Sequence, residues 1–336
     1  MKLIKTEDAV GHILCHDITQ IIKDVSKDAV FRKGHVVTKE DIPVLLSVGK
    51  EHLYVWEQTE NMLHENEAAE ILKSICIGPN MHATEPKEGK IELIADCDGL
   101  LQINREHLLK VNSLGEMMIA ARHGDTPVKK GDKIAGTRVI PLVIEKEKME
   151  AAKPYGGIFR ITPFQKKRAA IITTGSEVYH HRITDTFTPV VLEKLAEYDA
   201  EITGTRLCSD DCGMITESIH EFISQGAELV ICTGGMSVDA DDRTPLAIKN
   251  TGARIVSYGA PVLPGAMFLL AYYGNGIPII GLPGCVMYAR RTIFDLVLPK
   301  LMADVPVAKK ELDALGEGGL CLNCDVCTYP NCGFGK

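Results

Sequence analysis

The sequence predicts an α/β protein whose C-terminal half is a doubly wound parallel sheet. The first observation is that strand-length apolar runs alternate with helix-length segments from Lys166 onward, which is typical of such sheets. The second is that two runs, AAIITT at 169–174 and ELVICT at 228–233, have the apolar character of buried strands. The third is a change of sequence pattern along the chain. Residues before about 150 form short apolar runs with frequent turns, and the chain after Lys310 becomes rich in glycine and then cysteine.

Composition and charge narrow the class of protein. The 336 residues are enough for about two domains, and 45% apolar with 24% charged residues excludes bulk disorder and a coiled-coil rod. The net charge of −8 argues against a nucleic-acid surface, because phosphate backbones are bound through lysine and arginine. The uncharged stretch from Gly259 to Ala289 is cut by prolines and glycines into strand-length pieces, so we expect no membrane span. The charged start of the chain does not resemble a signal peptide, and we expect a cytoplasmic protein.

The chain is predicted to have four parts. They are a strand-rich α+β domain at 1–150, a linker at 151–165, an α/β domain at 166–305 and a Cys-rich tail at 306–336. In the first part we predict strands in AVGHILCHDIT (9–19), HLYVWE (52–57), KIELIADCDGLLQI (90–103) and 133–144. We predict helices at 37–49, with Thr38 as cap and Gly49 as end, at Glu65–Ile75 and at Leu114–Arg122.

The C-terminal half is predicted to alternate strands and helices. The strands are expected at 169–174, 201–207, 228–233, 253–258, 267–273 and 277–281. The helices are expected from Asp185 or Thr188 to Tyr198, from an Asp211 cap to Gln225 with Gly226 as the stop, at Pro245–Asn250 and at Met287–Met302.

Three loops leave the carboxyl ends of predicted strands and share glycines, hydroxyls and other small residues. They are TTGSE (173–177), TGGMSVDADD (233–242) and GLPGC (281–285). Ligands of open α/β sheets bind beyond the carboxyl ends of the strands, and free N–H groups and hydroxyls suit phosphate oxygens. The three loops together therefore predict a site for a phosphate-bearing ligand. The alternative is plain turn chemistry, which glycine and proline serve in many loops.

These blocks also resemble a known family. TTGSEV, Asp185 at a helix start, TGGMSVDADDRT and GLPG, in this order and spacing over roughly 166–303, resemble the molybdopterin-binding domain of molybdenum-cofactor biosynthesis proteins of the MoeA/MogA type. The resemblance implies a three-layer α/β/α domain with a mostly parallel sheet, whose sheet-end loops bind molybdopterin or its adenylylated form together with Mg²⁺. It implies Asp242 and Glu177 as catalytic residues. It implies as ligand-binding residues Thr174, Gly175, Ser176, Asp185, Gly234, Gly235, Ser237, Asp239, Pro283 and Gly284.

The sequence also departs from the family pattern. Asp239 stands where a third glycine is usual, so a carboxylate lies beside the expected phosphate and costs affinity unless Mg²⁺ bridges the two. Cys285 and Val286 replace Asn-Pro, and Arg243 replaces an aromatic residue and offers a guanidinium fork to phosphate. The acidic, glycine- and tyrosine-containing block of the MoeA N-terminal region is absent from residues 1–150. Binding, storage or delivery of the cofactor is therefore favoured over metal insertion.

The tail carries a cysteine cluster, CLNCDVCTYPNC, with the spacing C-x2-C-x2-C-x4-C. The four residues are Cys321, Cys324, Cys327 and Cys332. Four thiolates within twelve residues can bind one zinc ion or an iron–sulfur cluster, and the first three spacings resemble ferredoxin-type ligation. The glycines at 316, 318 and 319 predict a mobile appendage, and a redox-active thiol tail or a disordered end is the alternative.

The resulting functional prediction is a protein that binds molybdopterin, or its adenylylated or molybdenum form, for cofactor biosynthesis, insertion or delivery. One alternative is a nucleotide-handling hydrolase or nucleotidyltransferase on the same fold. Another is a non-catalytic adaptor for a molybdoenzyme. If the chain is an enzyme, the resemblance implies a molybdopterin adenylyltransferase-like or molybdenumtransferase-like reaction. The expected partners are a molybdopterin-type small molecule and a molybdoenzyme client, with neither nucleic acid nor membrane, and the resemblance implies a homo-oligomer.

Overall fold

A computed structural model describes residues 2–22, 26–55, 61–237, 239 and 242–336 and divides the chain into two compact units. The last two positions of the strand predicted over 52–57 lie outside the described residues. Unit 1 comprises Met1–Asp96, Ile103–Arg122 and Gly131–Arg160, and unit 2 comprises Cys97–Gln102, His123–Lys130 and Ile161–Lys336. Two short segments inside the range predicted as the N-terminal domain thus group with unit 2. Within the described ranges, every helix is too short or too polar to cross a lipid bilayer.

The secondary structure of the described residues follows in chain order. The strands are β1 (Lys2–Lys5), β2 (Ile18–Ile22), β3 (Ser26–Phe31), β4 (His52–Val55), β5 (Met62–His64), β6 (Met81–Ala83), β7 (Lys90–Ala95), β8 (Gly99–Ile103), β9 (Met117–Ala121), β10 (Thr126–Val128), β11 (Lys133–Val139), β12 (Val143–Glu145), β13 (Phe159–Pro163), β14 (Arg168–Thr174), β15 (Glu201–Cys208), β16 (Leu229–Thr233), β17 (Arg254–Tyr258), β18 (Leu269–Tyr273) and β19 (Ile277–Leu282). The α-helices are α1 (Asp41–Ser47), α2 (Glu65–Cys76), α3 (Arg105–Asn112), α4 (Lys146–Ala152), α5 (Ser176–Tyr179), α6 (Phe187–Ala196), α7 (Cys212–Ser224), α8 (Thr244–Asn250), α9 (Ile293–Met302) and α10 (Lys309–Ala314). Short 3₁₀ helices cover Thr6–Asp8, Lys153–Tyr155 and Gly284–Met287.

Unit 1 is a strand-rich α+β unit, as predicted. Its largest sheet is antiparallel with the order β6-β7-β11-β9, and α2 packs on β7 and β11. Along β7 the side chains of Ile91, Leu93 and Ala95 are buried while the residues between them are more exposed, which is the period of a strand with one covered face. Helix α2 begins at His64, whose Nδ1 accepts the N–H of Asn66 at 3.2 Å.

The helix predicted at Leu114–Arg122 is wrong. Helix α3 lies earlier in the chain, capped by Asn104, and strand β9 occupies most of the predicted range. In β9, Met117 and Ile119 are buried and their neighbours are exposed, which is a period of two and not of 3.6. The side chain of Asn112 fixes the turn, since it donates to the carbonyl of Ile119 at 2.9 Å and accepts its N–H at 2.8 Å.

Two smaller predictions in unit 1 also need correction. The strand predicted over 9–19 begins only at Ile18. The predicted pair of Thr38 and Asp41 is present, because the carboxylate of Asp41 accepts the backbone N–H of Thr38 at 2.8 Å, but α1 begins later than predicted, with Glu40 at the N-cap position. Gly49 does end the helix, with a φ of 76° that favours glycine.

Unit 2 contains a six-stranded sheet with the order β15-β14-β16-β19-β18-β17. Strands β15, β14, β16 and β19 are parallel to one another, and β18 runs antiparallel to both of its neighbours. Five of the six strands therefore share one direction, and the mostly parallel α/β sheet predicted from the sequence is confirmed. The segments of β8 and β10 in this unit pair antiparallel, with Leu101 opposite Thr126.

Two apolar cores cover the two faces of this sheet. In β14, Ala169 and Ile171 belong to the core that contains residues of α6 and α9, while Ala170 and Ile172 belong to the core that contains residues of α7 and α8. Because successive side chains of a strand point to opposite faces, this division places helices on both sides. The predicted three-layer α/β/α arrangement is confirmed.

Local signals place most helices of unit 2 correctly. The carboxylate of Asp211 accepts the N–H of Met214 at 2.7 Å and begins α7, and Gly226, with a φ of 93°, follows its end. The predicted final helix at Met287–Met302 is too long. Helix α9 begins after Thr292, whose side chain accepts the N–H of Phe294 at 3.2 Å, in a capping box with Asp295.

The tail packs on unit 2, unlike the predicted mobile appendage. Cys321 donates its N–H to the carbonyl of Leu263 at 2.8 Å, and Phe334 is 4% exposed in the core on the α6 and α9 side. A Cβ at Gly318 would lie 2.1 Å from the carbonyl oxygen of Lys336, and one at Gly319 would lie 2.2 Å from the carbonyl oxygen of Leu315. These glycines permit close backbone contact and do not mark a free linker.

Candidate functional site

The three predicted loops begin side by side at one edge of the sheet in unit 2. The register pairs Thr174 with Cys208, Thr173 with Thr233, and Thr233 with Leu282, at the carboxyl ends of the four parallel strands. The residue that follows each of these ends therefore starts a loop at the same edge. This is the edge at which open α/β sheets bind ligands.

Two glycines of the second loop lie close to the end of β14 and the start of α8. A Cβ on Gly234 would lie 2.1 Å from the carbonyl oxygen of Thr174, and a Cβ on Gly235 would lie 2.9 Å from the hydroxyl of Thr244. Both glycines have positive φ values, 84° and 55°. Only glycine meets both requirements, so this loop runs with bare backbone against the end of β14.

Buried hydroxyls hold the same loop in place. The Thr174 and Thr244 hydroxyls lie 3.0 Å apart, and the Thr244 hydroxyl donates to the carbonyl of Gly234 at 2.9 Å. Both threonines are almost completely buried. Thr244 was not predicted as a site residue, although it is the last letter of the TGGMSVDADDRT block. Its side chain holds the loop in place through the hydrogen bond to Gly234, so we describe Thr244 as a positioning residue.

The first loop is tied to a carboxylate that the sequence analysis did not assign. Both the backbone N–H and the hydroxyl of Ser176 donate to the same oxygen of Asp210, at 2.8 and 2.7 Å. Gly175 begins α5 with a φ of 141°, and the side chain of Glu177 is exposed beside it. The Ser176 hydroxyl is thus already engaged, and Asp210 brings the loop after β15 into the candidate site.

Asp185 has a local structural task. One of its carboxylate oxygens accepts the N–H groups of Phe187 and Thr188 at 2.9 and 3.1 Å, and the other accepts the Thr188 hydroxyl. These bonds satisfy the first turn of α6, as the sequence predicted for a capping residue. They leave the Asp185 carboxylate facing its own helix.

Two further carboxylates lie on the second loop. The N–H of Asp242 donates to the carbonyl of Asp239 at 3.0 Å, and the N–H of Asp239 donates to the Asp242 carboxylate at 3.1 Å. Val238, Ala240 and Asp241 lie outside the described residues. Among the described residues, no hydrogen bond joins Asp242 to Glu177, the other predicted catalytic acid.

Tyr258 supports the same loop from β17. Its hydroxyl donates to the carbonyls of Met236 and Ser237, at 3.0 and 3.3 Å. Burial raises the pKa of Tyr258, and the negative charge of Asp242 raises it further. Ser237 itself is exposed. Sequence reasoning missed Tyr258 because it comes from a distant strand.

The third loop reaches the site through a methionine. Pro283 is buried and precedes the 3₁₀ helix that starts at Gly284. A Cβ on Gly281 would lie 2.6 Å from the sulfur of Met236, so β19 packs directly against the second loop. Burial raises the pKa of the Cys285 thiol, which favours its protonated form.

The three predicted loops therefore meet at one edge of the sheet, but their residues have different roles. Gly234 and Gly235 shape the backbone, and Asp185 caps a helix. Glu177, Ser237 and Asp239 are exposed, and Asp242 is half-buried with one carboxylate oxygen accepting the N–H of Asp239.

The fold and these loops define a three-layer α/β domain with glycine-rich segments gathered at the carboxyl edge of its sheet. A family model described as "Probable molybdopterin binding domain" matches residues 170–303, and a model of a domain of unknown function matches residues 3–57. Residues 170–303 thus form a domain of the molybdopterin-binding family, which confirms the resemblance predicted from the sequence.

Individual relatives match shorter parts of the chain. A CinA-like protein of Mycolicibacterium gilvum is 35% identical over 77 residues, which cover 23% of this chain and 18% of that protein. A CinA-like protein of Mycobacterium tuberculosis H37Rv is 32% identical over the same length, with the same coverage. The chain therefore spans 18% of the length of these curated relatives.

Solved structures match about two fifths of the chain. The molybdopterin biosynthesis enzyme MoaB of Thermus thermophilus is 23% identical, with a TM-score of 0.35, over 41% of this chain and 96% of that chain. The CinA protein of Thermoplasma acidophilum, described as a protein of unknown function, is 18% identical, with a TM-score of 0.34, over 40% of this chain and 98% of that chain.

Proposed function

We propose that unit 2 binds a molybdopterin-type ligand through its phosphate at the carboxyl edge of the sheet, in the biosynthesis, insertion or delivery of the molybdenum cofactor. The observation that carries the proposal is the contact of Gly234 and Gly235 with the end of β14. This contact holds the glycine-rich backbone at the carboxyl edge of the sheet, where backbone N–H groups can donate to phosphate oxygens. The family match over 170–303 supports molybdopterin as the ligand class.

The phosphate is assigned to the second loop in this proposal. Ser237 is exposed there, and its backbone is held by Tyr258 through the carbonyl and not through the hydroxyl. The Ser237 hydroxyl is therefore available to a phosphate oxygen. Arg243, exposed at the end of the same loop, offers a planar guanidinium that can donate two parallel bonds.

Magnesium fits this loop because its donors are carboxylates. Asp239 and Asp242 lie on one turn, and hard oxygen ligands of this kind suit Mg²⁺. Without a cation, the two carboxylates would repel the phosphate. Magnesium, when bound, would offset that repulsion and complete the phosphate site. Asp242 is the proposed ligand to the ion, and Glu177 is the proposed second acid at the edge of the site.

A carrier role is favoured over catalysis in this proposal. The Asp185 carboxylate and the Ser176 hydroxyl are occupied by bonds within the fold, and the N-terminal block of the MoeA pattern is absent. A carrier needs a client, which would be a molybdoenzyme, and the resemblance implies self-association. The proposed location is the cytoplasm, where the eleven cysteines of the sequence would stay reduced.

Replacing Asp242 with asparagine is expected to abolish the Mg²⁺ dependence of binding. In anaerobic dialysis against molybdopterin released from a molybdoenzyme, the intact chain should bind about tenfold or more tightly with Mg²⁺, which corresponds to roughly 1.4 kcal/mol. Bound pterin is measured by fluorescence after oxidation. Asp242→Asn should bind equally with and without the metal.

The matched control is Asp199→Asn, which removes an exposed carboxylate just before β15, at the opposite edge of the same sheet. It should behave like the intact chain. Equal binding by all three proteins in both metal conditions would contradict the role of Asp242. Binding of a nucleotide without any binding of pterin would contradict the ligand class and favour a nucleotide-handling domain.

A further inference from the structure

The four tail cysteines line one cavity. Its volume is about 240 Å³, and Cys321, Cys324, Cys327 and Cys332 all contribute to its wall. All four thiols are free. The tail is fixed at both ends of this segment. Leu263 accepts the N–H of Cys321 and donates its own N–H to the carbonyl of Gly319, and Phe334 is buried. The packed tail thus places four cysteines on the wall of one open space, which makes that space a candidate site for a bound metal group.

We propose that this cavity holds a four-iron, four-sulfide cluster with the four tail cysteines as ligands. This inference is independent of the pterin proposal, because it rests on the tail alone. It chooses between the two ligand classes that the spacing left open, zinc and iron–sulfur.

The arrangement of the thiols favours the cluster over zinc. A single zinc ion holds its sulfurs at about 2.3 Å, so four thiolates must converge to within about 3.8 Å of one another. Among the described residues, which include the whole tail, no group of three or more cysteine, histidine or acidic side chains forms a ready site for a metal ion. The four cysteines line a cavity of about 240 Å³, which has room for a cluster whose iron atoms each take one thiolate.

The spacing agrees with this choice. Structural zinc sites usually pair two C-x2–4-C units across a longer loop. Here Cys321, Cys324 and Cys327 follow at intervals of three residues, as in the ferredoxin-type run C-x2-C-x2-C. Cys332 follows on the same segment and completes the set at the cavity wall.

The charge of the cavity wall also fits an anionic group. Arg290 and Arg291 line the cavity, and Arg290 is held there because its guanidinium donates to the carbonyl of Asp325 at 2.5 Å. The guanidinium of Arg291 lies over the ring of Tyr329, 5.0 Å from its centroid. Four thiolates around a metal cluster carry net negative charge, which these two cations would offset.

The location connects the cavity with the loops described above. Arg290 follows Gly284 by six residues, so one short segment of chain contributes both to the third sheet-end loop and to the cavity wall. A cluster in the tail would therefore stabilise the conformation of that segment.

The test is anaerobic reconstitution of the full chain with ferrous iron and sulfide, followed by iron and acid-labile sulfide analysis and Mössbauer spectroscopy. We expect about four irons and four sulfides per chain, with a broad brown absorption. Cys324→Ser and Cys327→Ser, at exposed positions, should reduce the iron content at least severalfold while the far-ultraviolet circular dichroism stays unchanged. Cys212→Ser, a half-buried thiol outside the tail, is the matched control and should retain the full iron content.

Three results would overturn the proposal. One zinc per chain after purification, with cobalt substitution giving a tetrathiolate spectrum that Cys324→Ser abolishes, would assign the site to zinc. Two irons and two sulfides would contradict the four-iron form. A chain that retains neither iron nor zinc after reconstitution would remove the metal site altogether.

Discussion

Replacing Gly234 with alanine is expected to destabilise unit 2 by roughly 2–5 kcal/mol. About 1–2 kcal/mol comes from placing an L-residue in the left-handed region, and about 1–3 kcal/mol comes from overpacking. The added Cβ would lie 2.1 Å from the carbonyl oxygen of Thr174, so either the loop or the end of β14 must move. Because this contact shapes the candidate phosphate loop, binding of molybdopterin should fall together with stability.

Gly252→Ala separates these two contributions. Gly252 has a φ of 81°, against 84° for Gly234, but no atom lies within 4 Å of the Cβ that alanine would add. This control should lose only about 1–2 kcal/mol and should bind molybdopterin normally. Urea unfolding followed by circular dichroism measures the difference. Equal losses in the two variants would show that the contact with Thr174 contributes nothing.

The elements that could be predicted from the sequence are those fixed by neighbours along the chain. Asp211 and Gly226 bracket α7 with a cap and a stop that lie within one turn of the helix ends. The alternation of β14 between the two cores follows from its own apolar run. The family motifs extend what can be predicted from the sequence, because they identify the loops that meet at the sheet edge. They do not show the contacts between those loops.

The errors arose where local composition allowed two structures. Residues 114–122 are apolar enough for either a helix or a strand, and pairing with β11 decides for β9. The start of α9 is predictable from the sequence, because Thr292 and Asp295 form a capping box within one turn. The glycines of the tail were misjudged because a close backbone contact and a flexible linker have the same composition.

The site residues that were missed are tertiary partners. Asp210 binds Ser176 across 34 positions of sequence, and the Thr244 hydroxyl meets that of Thr174 across 70. Such pairs depend on the strand order, which no local pattern contains. The sequence therefore predicts which loops form the candidate site. Which of their residues have structural contacts and which are exposed depends on the three-dimensional structure.

A different buried pair anchors the region between the sheet edge and the tail. Lys194 and Asp295 are 7% and 3% exposed, and the Lys194 ammonium donates to the Asp295 carboxylate at 2.6 Å. The Arg291 guanidinium donates to the same carboxylate oxygen at 2.8 Å, and the other oxygen accepts the N–H of Thr292 at 2.7 Å. The backbone carbonyl of Asp295 accepts the Tyr329 hydroxyl of the tail at 2.7 Å. One residue thus joins α6, the start of α9 and the tail.

Asp295→Asn is expected to destabilise unit 2 by about 3–5 kcal/mol, because it leaves the buried Lys194 charge without its counter-ion. Asp313→Asn is the matched control, since Asp313 pairs with Lys309 on the exposed face of α10 and should cost about 0–1 kcal/mol. The measurement is urea unfolding, with the transition of unit 2 identified by hydrogen exchange of α9.

The double variant Lys194→Met/Asp295→Asn distinguishes the unpaired charge from other consequences of changing Asp295. If the cost arises from the buried cation, removing that cation as well should recover a substantial part of the lost stability, because paired burial and apolar burial are close in free energy. If the double variant is less stable than Asp295→Asn alone, the contacts of Asp295 with Arg291 and the α9 cap dominate instead.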